Sequence, residues 1–235
     1  MQDKVVLITG ASGGLGHATA PVFAHAGYRV ALTGRNTEAL EELAATLEGE
    51  SDRTLVHAAD LLDREQTGAL VQSVVDAWGR IDGLLNLAGG WAGGVGLADV
   101  TQAQWDEMLH MNLITAIHIT QAVLPQMLAA GDGRIVHIAS MAVEDFRARQ
   151  VAYNVSKSGL VALARSTAVE YGAQGIRSNV LLPGTIDTPR NRRTRPSQDR
   201  SNWVSPEALA EIMLMLCGPV GEEINGAAIP VSGGL

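Results

Sequence analysis

Lys4-Val5-Val6-Leu7-Ile8-Thr9-Gly10-Ala11-Ser12-Gly13-Gly14-Leu15-Gly16 is the stretch on which the reading of this chain turns. Lys4 to Thr9 is a short apolar run, which predicts a buried strand, and the alanine-rich run after the glycines predicts a helix reaching His25. A helix that starts directly after a strand presents unpaired backbone N–H groups and the positive end of its dipole at the turn. Gly10, Gly14 and Gly16 let the backbone turn tightly and approach a pyrophosphate closely, so the stretch points to a dinucleotide site. A glycine cluster alone can be only a turn; its place after the first strand is what favours the nucleotide.

Outward from this stretch the pattern repeats. Tyr28 to Thr33, Thr54 to Ala58, Ile81 to Leu87, Arg134 to Ala139, Ile176 to Leu182 and Ala227 to Val231 read as further strands. Helical patterns cover Thr37 to Glu48, the segment from Asp63, Gln104 to Ala130, Val151 to Tyr171 and Pro206 to Cys217. Strands and helices in alternation predict an α/β chain with a mainly parallel sheet and helices on both faces. The 235 residues, 46% of them hydrophobic, suffice for one such core, although length alone also allows two smaller ones. No composition shift marks a linker, so residues 1–235 are read as one Rossmann-like domain.

A formal net charge of −8 argues against broad nucleic-acid affinity, which rests on Lys and Arg neutralising phosphates. No apolar run reads as long enough to cross a bilayer, and Met1-Gln2-Asp3-Lys4 leads into a strand instead of a signal peptide; a cytoplasmic location is expected. The one cysteine, Cys217, excludes an internal disulfide framework and supplies no metal cluster, and within Leu214-Met215-Leu216-Cys217 it reads as a small core hydrophobe. Arg190, Arg192, Arg193, Arg195 and Arg200 crowd a segment broken by Pro189 and Pro196, which predicts a loop with a local positive field. A solvated or subunit-contact loop is favoured there over an anion-attracting lid.

A second constellation carries chemistry. Ser140 follows the apolar run Arg134 to Ala139, and Tyr153 and Lys157 stand at i and i+4, on one face of a helix. A free phenol has a pKa near ~10, and a neighbouring cation favours the phenolate, so Tyr153 becomes usable as an acid or base nearer neutrality. Tyr-x-x-x-Lys usually means only an aromatic beside a solvated charge; here a strand-end serine and a nucleotide turn accompany it. Together with Thr9-Gly10-x-x-x-Gly14-x-Gly16, these residues resemble the short-chain dehydrogenase/reductase family. The resemblance covers essentially the whole chain. It implies a doubly wound, seven-stranded sheet and a homo-oligomer, dimer or tetramer. It also implies that Tyr153 exchanges the proton, Ser140 holds the substrate oxygen, and Lys157 lowers the Tyr153 pKa and holds a ribose. Asn112, in the middle of the long helix, would support a proton relay, an exposed Asn being the alternative.

The resemblance further implies a nicotinamide dinucleotide held by Gly10, Ser12, Gly14, Leu15 and Gly16 of the turn and by Tyr153 and Lys157. Asp60 and Leu61 follow the third strand, Asn86, Ala88 and Gly89 the fourth, and Pro183, Gly184, Ile186 and Thr188 the sixth, each matching a family cofactor position. Leu87 stands where the family has a second Asn, and Asp60 can instead cap the helix near Asp63. After the second strand, Gly34-Arg35-Asn36 lacks the carboxylate that binds ribose hydroxyls in NAD sites. Arg35 suits a 2′-phosphate, so NADP(H) is expected and NAD(H) remains possible, with a plain surface residue as the alternative.

On the substrate side, Gly89-Gly90-Trp91-Ala92-Gly93-Gly94 with Leu182-Pro183, Asp187-Thr188-Pro189, Asn191-Arg192 and Trp203 resembles the dihydropteridine reductases, members that reduce a quinonoid pterin. Those members prefer NADH and lack the serine. Trp91 either stacks on a planar substrate or packs under its loop; it is expected to face the nicotinamide pocket, with Thr185 to Asn202 moving to cover it. The expected activity is reduction of a carbonyl on a small-molecule substrate, with quinonoid pterin reduction as alternative. A reading of another class is a non-catalytic NADP(H)-binding sensor, against which Ser140, Tyr153 and Lys157 count. No membrane partner and no metal are expected.

Overall fold

Apolar runs of five or six residues can be strands only if something covers both their faces, and that is how they are used. The computed structural model describes residues 3–47 and 51–233. Its strands are β1 (Val5–Thr9), β2 (Arg29–Thr33), β3 (Thr54–Val56), β4 (Gly83–Asn86), β5 (Gly133–Ile138), β6 (Ile176–Pro183) and β7 (Ala228–Val231). All pair in parallel, in the order β3-β2-β1-β4-β5-β6-β7. The order runs outward from β1 to β3 on one side and from β4 to β7 on the other. That reversal leaves a crevice above the carboxyl ends of β1 and β4.

The helices are α1 (Gly14–His25), α2 (Thr37–Ala45), α3 (Arg64–Trp78), α4 (Gln102–Leu109), α5 (Thr115–Ala130), α6 (Ala142–Asp145), α7 (Val151–Tyr171), α8 (Pro189–Thr194) and α9 (Pro206–Cys217). On one sheet face Val6, Ile8, Leu32, Val136 and Leu181 pack with Phe23 of α1 and Met213 of α9. On the other, Val5, Leu7, Leu84 and Ile135 pack with Leu70 of α3 and Ile119, Val123 and Met127 of α5. Cover on both sides explains why these strands read as continuous apolar runs instead of alternating ones. Cys217 belongs to the first core, as expected, and burial pushes its thiol up to about 12.

Most helix starts are fixed by side chains. Asn36 caps α2, Asp63 caps α3, Thr101 and Gln104 form a reciprocal box at α4, and Ser205 caps α9 ahead of Pro206. Asp63, not Asp60, caps α3, which removes the capping role considered for Asp60.

Several expectations need correction. The helix expected from about Gln104 to Ala130, with the kink at Asn112 that the family resemblance implies, is α4 and α5 joined by a π-helical segment, His110–Ile114, with Asn112 buried inside it. Gln102–Ala130 is also long and apolar enough to cross a membrane by length and composition, contrary to the sequence reading. Here it lies on the sheet, with Ile119, Val123 and Met127 fully buried. The arginine-rich segment is not simply a loop: Thr188 accepts from the Asn191 N–H and Pro189 takes the first helical position, which starts α8. The third strand stops at Val56, and the fourth covers only Gly83–Asn86. Glu48, the expected end of α2, lies outside the described residues.

Candidate active site

At the crevice, α1 starts on Gly13 with no side-chain cap and no acid in its first turn. Its leading N–H groups are therefore left for an external acceptor, which fits an anion. Each glycine of the turn has its own reason. Gly10 has φ +61, and a Cβ there would meet the Ala88 backbone at 2.9 Å, so the turn lies directly against the chain leaving β4. A Cβ on Gly14 would meet the Thr188 side chain at 2.9 Å, and one on Gly16 would meet the Ala11 carbonyl oxygen at 2.1 Å. Leu15 turns its side chain into the core, leaving only its backbone to a ligand. The Ser12 hydroxyl lies over Gly34, beside exposed Arg35, at the ends of β1 and β2.

The other expected cofactor residues rim the same crevice, with one correction. The Asn86 side chain is fully buried, accepts from the Thr9 hydroxyl at 2.9 Å and meets His137 Nδ1 at 3.3 Å, so it holds the β4 end and leaves only its backbone to a ligand. One Asp60 oxygen accepts from the Leu62 N–H, and the Leu61 carbonyl meets His118 Nδ1 at 2.9 Å. The chain leaving β6 is ordered by Pro183 O accepting from Met141 N, Gly184 N donating to Val231 O, and Ile186 O accepting from Asn191 Nδ2 at 2.8 Å. That ordering places Thr188 over Gly14.

The candidate catalytic groups converge. β5 delivers Ser140, whose hydroxyl accepts from the Ala142 N–H at 3.1 Å and lies near enough to Tyr153 of α7 to act on its phenol. Lys157, one turn on, is buried and donates to the Ile138 carbonyl at 2.8 Å. Asn112 accepts from the Gly90 N–H at 2.9 Å and donates to Ser156 at 3.0 Å, and Ser156 donates to the Tyr153 carbonyl at 2.8 Å. Gly89 closes the set: a Cβ there would lie 2.7 Å from Asn112 Oδ1 and 3.1 Å from Lys157 Nζ. The π-turn is what aims Asn112 inward.

The electrostatics differ from expectation at one point. Burial holds the Tyr153 phenol above its ordinary value, while the Ser140 hydrogen bond and the positive field of Arg195 act the other way. The lowering expected from Lys157 is not among the influences on Tyr153 here, and the Lys157 ammonium donates to the Ile138 carbonyl. Burial brings Lys157 itself down to about 7.

A family model described as short chain dehydrogenase matches residues 4–199. The chain belongs to that family. It is thereby an oxidoreductase of the short-chain dehydrogenase type. It is 31% identical over 244 residues to the 3-oxoacyl-[acyl-carrier-protein] reductase FabG of Thermotoga maritima, covering 100% of this chain and 98% of that protein. Among solved structures, a variant actinorhodin polyketide ketoreductase with NADPH matches with a TM-score of 0.91 at 28% identity, covering 100% of this chain and 99% of that one. NAD+-bound xylitol dehydrogenase matches with a TM-score of 0.90 at 27% identity, covering 99% of each chain.

Four residues of this short-chain dehydrogenase join the site without a signal of their own in the sequence. Ser156 links Asn112 to α7, and fully buried His137 meets Asn86. Gln150 accepts from Trp91 Nε1 at 3.1 Å, and the Arg195 guanidinium lies 5.6 Å from the Trp91 ring centroid. Trp91 is 48% exposed, so it is neither packed under its loop nor free of it. Its loop is clamped to the start of α7: Gly94 N donates to the Arg149 carbonyl at 2.7 Å, and Arg149 Nε donates to the Gly94 carbonyl at 2.9 Å. Phe146 and Arg149 adopt φ +45 and +63, left-handed conformations costly for side-chain-bearing residues, in the turn between Ser140 and Tyr153.

Proposed function

We propose that this dehydrogenase interconverts a carbonyl and an alcohol on a small molecule, with Tyr153 exchanging the proton and NADP(H) preferred over NAD(H). The observation that carries the reading is the convergence of Ser140 at the end of β5 with Tyr153 and buried Lys157 one turn apart on α7, the Ser140 hydroxyl acting on the Tyr153 phenol. The glycine turn and the uncapped α1 start suit the pyrophosphate of a nicotinamide dinucleotide. When bound, that group supplies the hydride to the carbonyl carbon or takes it from the alcohol. Ser140 fixes the substrate oxygen, Tyr153 gives it a proton, and Asn112 and Ser156 hold the helix carrying both Tyr153 and Lys157 in place. Arg35, with no ion pair among the described residues, and Ser12 beside Gly34 support the phosphorylated cofactor.

A quinonoid pterin is the second reading, favoured by the half-exposed Trp91 at the site mouth. Both are tested by cofactor turnover with ketoacyl thioesters, aromatic ketones and quinonoid dihydropterin, using NADPH and NADH. Turnover with none of them, alongside tight NADPH binding, supports the sensor reading instead. Val155 and Val169 stand exposed on α7, which supports self-association, read by light scattering.

A further inference from the structure

Of the five arginines crowded between Arg190 and Arg200, Arg195 alone is not exposed. Its neighbours are occupied or solvated: Arg192 makes two bonds to Asp187, at 2.6 and 2.7 Å, and Arg200 lies 5.8 Å from the Trp203 ring centroid. Arg195 is drawn back over the site. It donates to the Thr185 hydroxyl at 3.1 Å, lies over Trp91, and is close enough for its charge to act on Tyr153. Thr185 follows β6, Trp91 follows β4 and Tyr153 lies in α7.

We propose that Arg195 recognises a carboxylate on the substrate close to the reacting carbonyl, so that this dehydrogenase favours keto acids. The proposal rests on the carbonyl-reductase reading and names its substrate class. A guanidinium has five N–H donors, and the Thr185 hydroxyl uses one. Among the described residues no carboxylate is paired with Arg195, although a half-buried charge ordinarily has a partner. A substrate carboxylate supplies that partner in the two-pronged geometry that suits arginine. The Trp91 face holds the guanidinium plane in position and adds cation–π attraction. Arg195 reaches from Thr185, after β6, to Trp91, after β4, and those strands flank β5, whose end carries Ser140, so an anion bound by it lies near the reacting oxygen and not at the far end of a long substrate. Lys157 is unsuited to the task, being buried and held by the Ile138 carbonyl.

Matched acid and ester pairs test this. Benzoylformate and methyl benzoylformate carry the charge beside the ketone; 4-acetylbenzoate and its methyl ester carry it across the ring. The native enzyme is expected to favour benzoylformate over its ester in kcat/KM, and Arg195→Gln to reduce that ratio about tenfold or more through KM of the acid, equivalent to about 1.4 kcal/mol or more. Arg195→Lys should restore part of the ratio, and the 4-acetylbenzoate ratio should respond less. If Arg195 merely holds its segment on Trp91, acid and ester fall equally and the ratio stays fixed; that result overturns the proposal. Titration calorimetry of benzoylformate and its ester with NADP+ present gives the same ratio without turnover. If no ketone is turned over by any variant, the carbonyl-reductase reading fails, while the calorimetric ratio still decides Arg195.

Discussion

Replacing Lys157 by methionine separates the cost of burying its amine from its use in the reaction. In the folded chain its pKa is about 7, against 10.5 for the free side chain, and the cause is desolvation. Between those values the unfolded chain keeps a proton that the folded chain has lost, so raising the pH draws the equilibrium towards the folded form. The penalty is fully present below pH 7 and is relieved as the pH climbs towards 10.5. Full separation of the two states is worth about 1.4 kcal/mol per pH unit; with half of the folded lysine already deprotonated at pH 7, stability gained from this group between pH 7 and 9 is about 2 kcal/mol. Lys157→Met lacks that dependence. The variant is therefore expected to be more stable than the parent at pH 7, with the margin shrinking by about that amount at pH 9. Loss of the bond to the Ile138 carbonyl, worth ~1–3 kcal/mol if that oxygen goes unmet, is constant with pH and shifts the whole difference, not its slope. Cys217 and Tyr28, both raised by burial, work in the opposite direction at alkaline pH but are common to both proteins. Urea denaturation without cofactor, at half-unit steps from pH 7 to 9, reads the difference directly. Parallel stability profiles for parent and variant would refute the reasoning.

Tyr153→Phe removes the hydroxyl and keeps the ring; turnover of the carbonyl substrate should fall ~10²-fold or more with cofactor affinity nearly unchanged, and near-normal turnover would sink the assigned role. The pair Gly34→Asp with Arg35→Ala should move preference towards NADH, since a carboxylate repels a 2′-phosphate and accepts ribose hydroxyls; a native enzyme that already binds NADH better contradicts the assignment. Trp91→Ala should raise KM for flat aromatic carbonyls by the equivalent of about 1 kcal/mol and leave NADPH affinity alone; equal KM changes for flat and aliphatic substrates would make Trp91 a support for Arg195 only.

The glycine turn and the Ser140, Tyr153 and Lys157 set are legible because their information is local: a strand end, a turn, and an i to i+4 step along one helix. The π-turn at His110–Ile114 is not, since a single extra residue in a turn leaves the apolar pattern on either side nearly intact; only Asn112, a poor interior helix residue, hints at it. Thr188-Pro189 does carry a helix-start signal, but clustered arginines and a second proline outweigh it, so α8 is hidden in a stretch that reads as loop. Asp60 and Asp63 are indistinguishable as caps until the backbone shows which carboxylate meets the N–H groups of Glu65 and Gln66. Arg195 cannot be told from its four neighbours by sequence, because its selection depends on Thr185 and Trp91 converging in space.

His137 shows what strand register adds. Thr33, Thr9, Asn86 and His137 stand opposite one another across β2, β1, β4 and β5, and cross-strand neighbours share a sheet face. All four are fully buried, at or next to the carboxyl ends of their strands. The Thr9 hydroxyl donates to Asn86 Oδ1 and accepts from the Ala88 N–H, so this polar row anchors the chain that carries Gly89 to Asn112 and Lys157. At its end, the Asn86 amide faces His137 Nδ1, which must then accept and leave the ring proton on Nε2. Burial first, and the Lys157 charge second, bring His137 down to about 4. The His137 ring is therefore neutral near neutrality. A neutral imidazole at this position keeps the Asn86 amide hydrogen-bonded without adding a second cation near the lysine, and, fully buried, it does not reach the crevice.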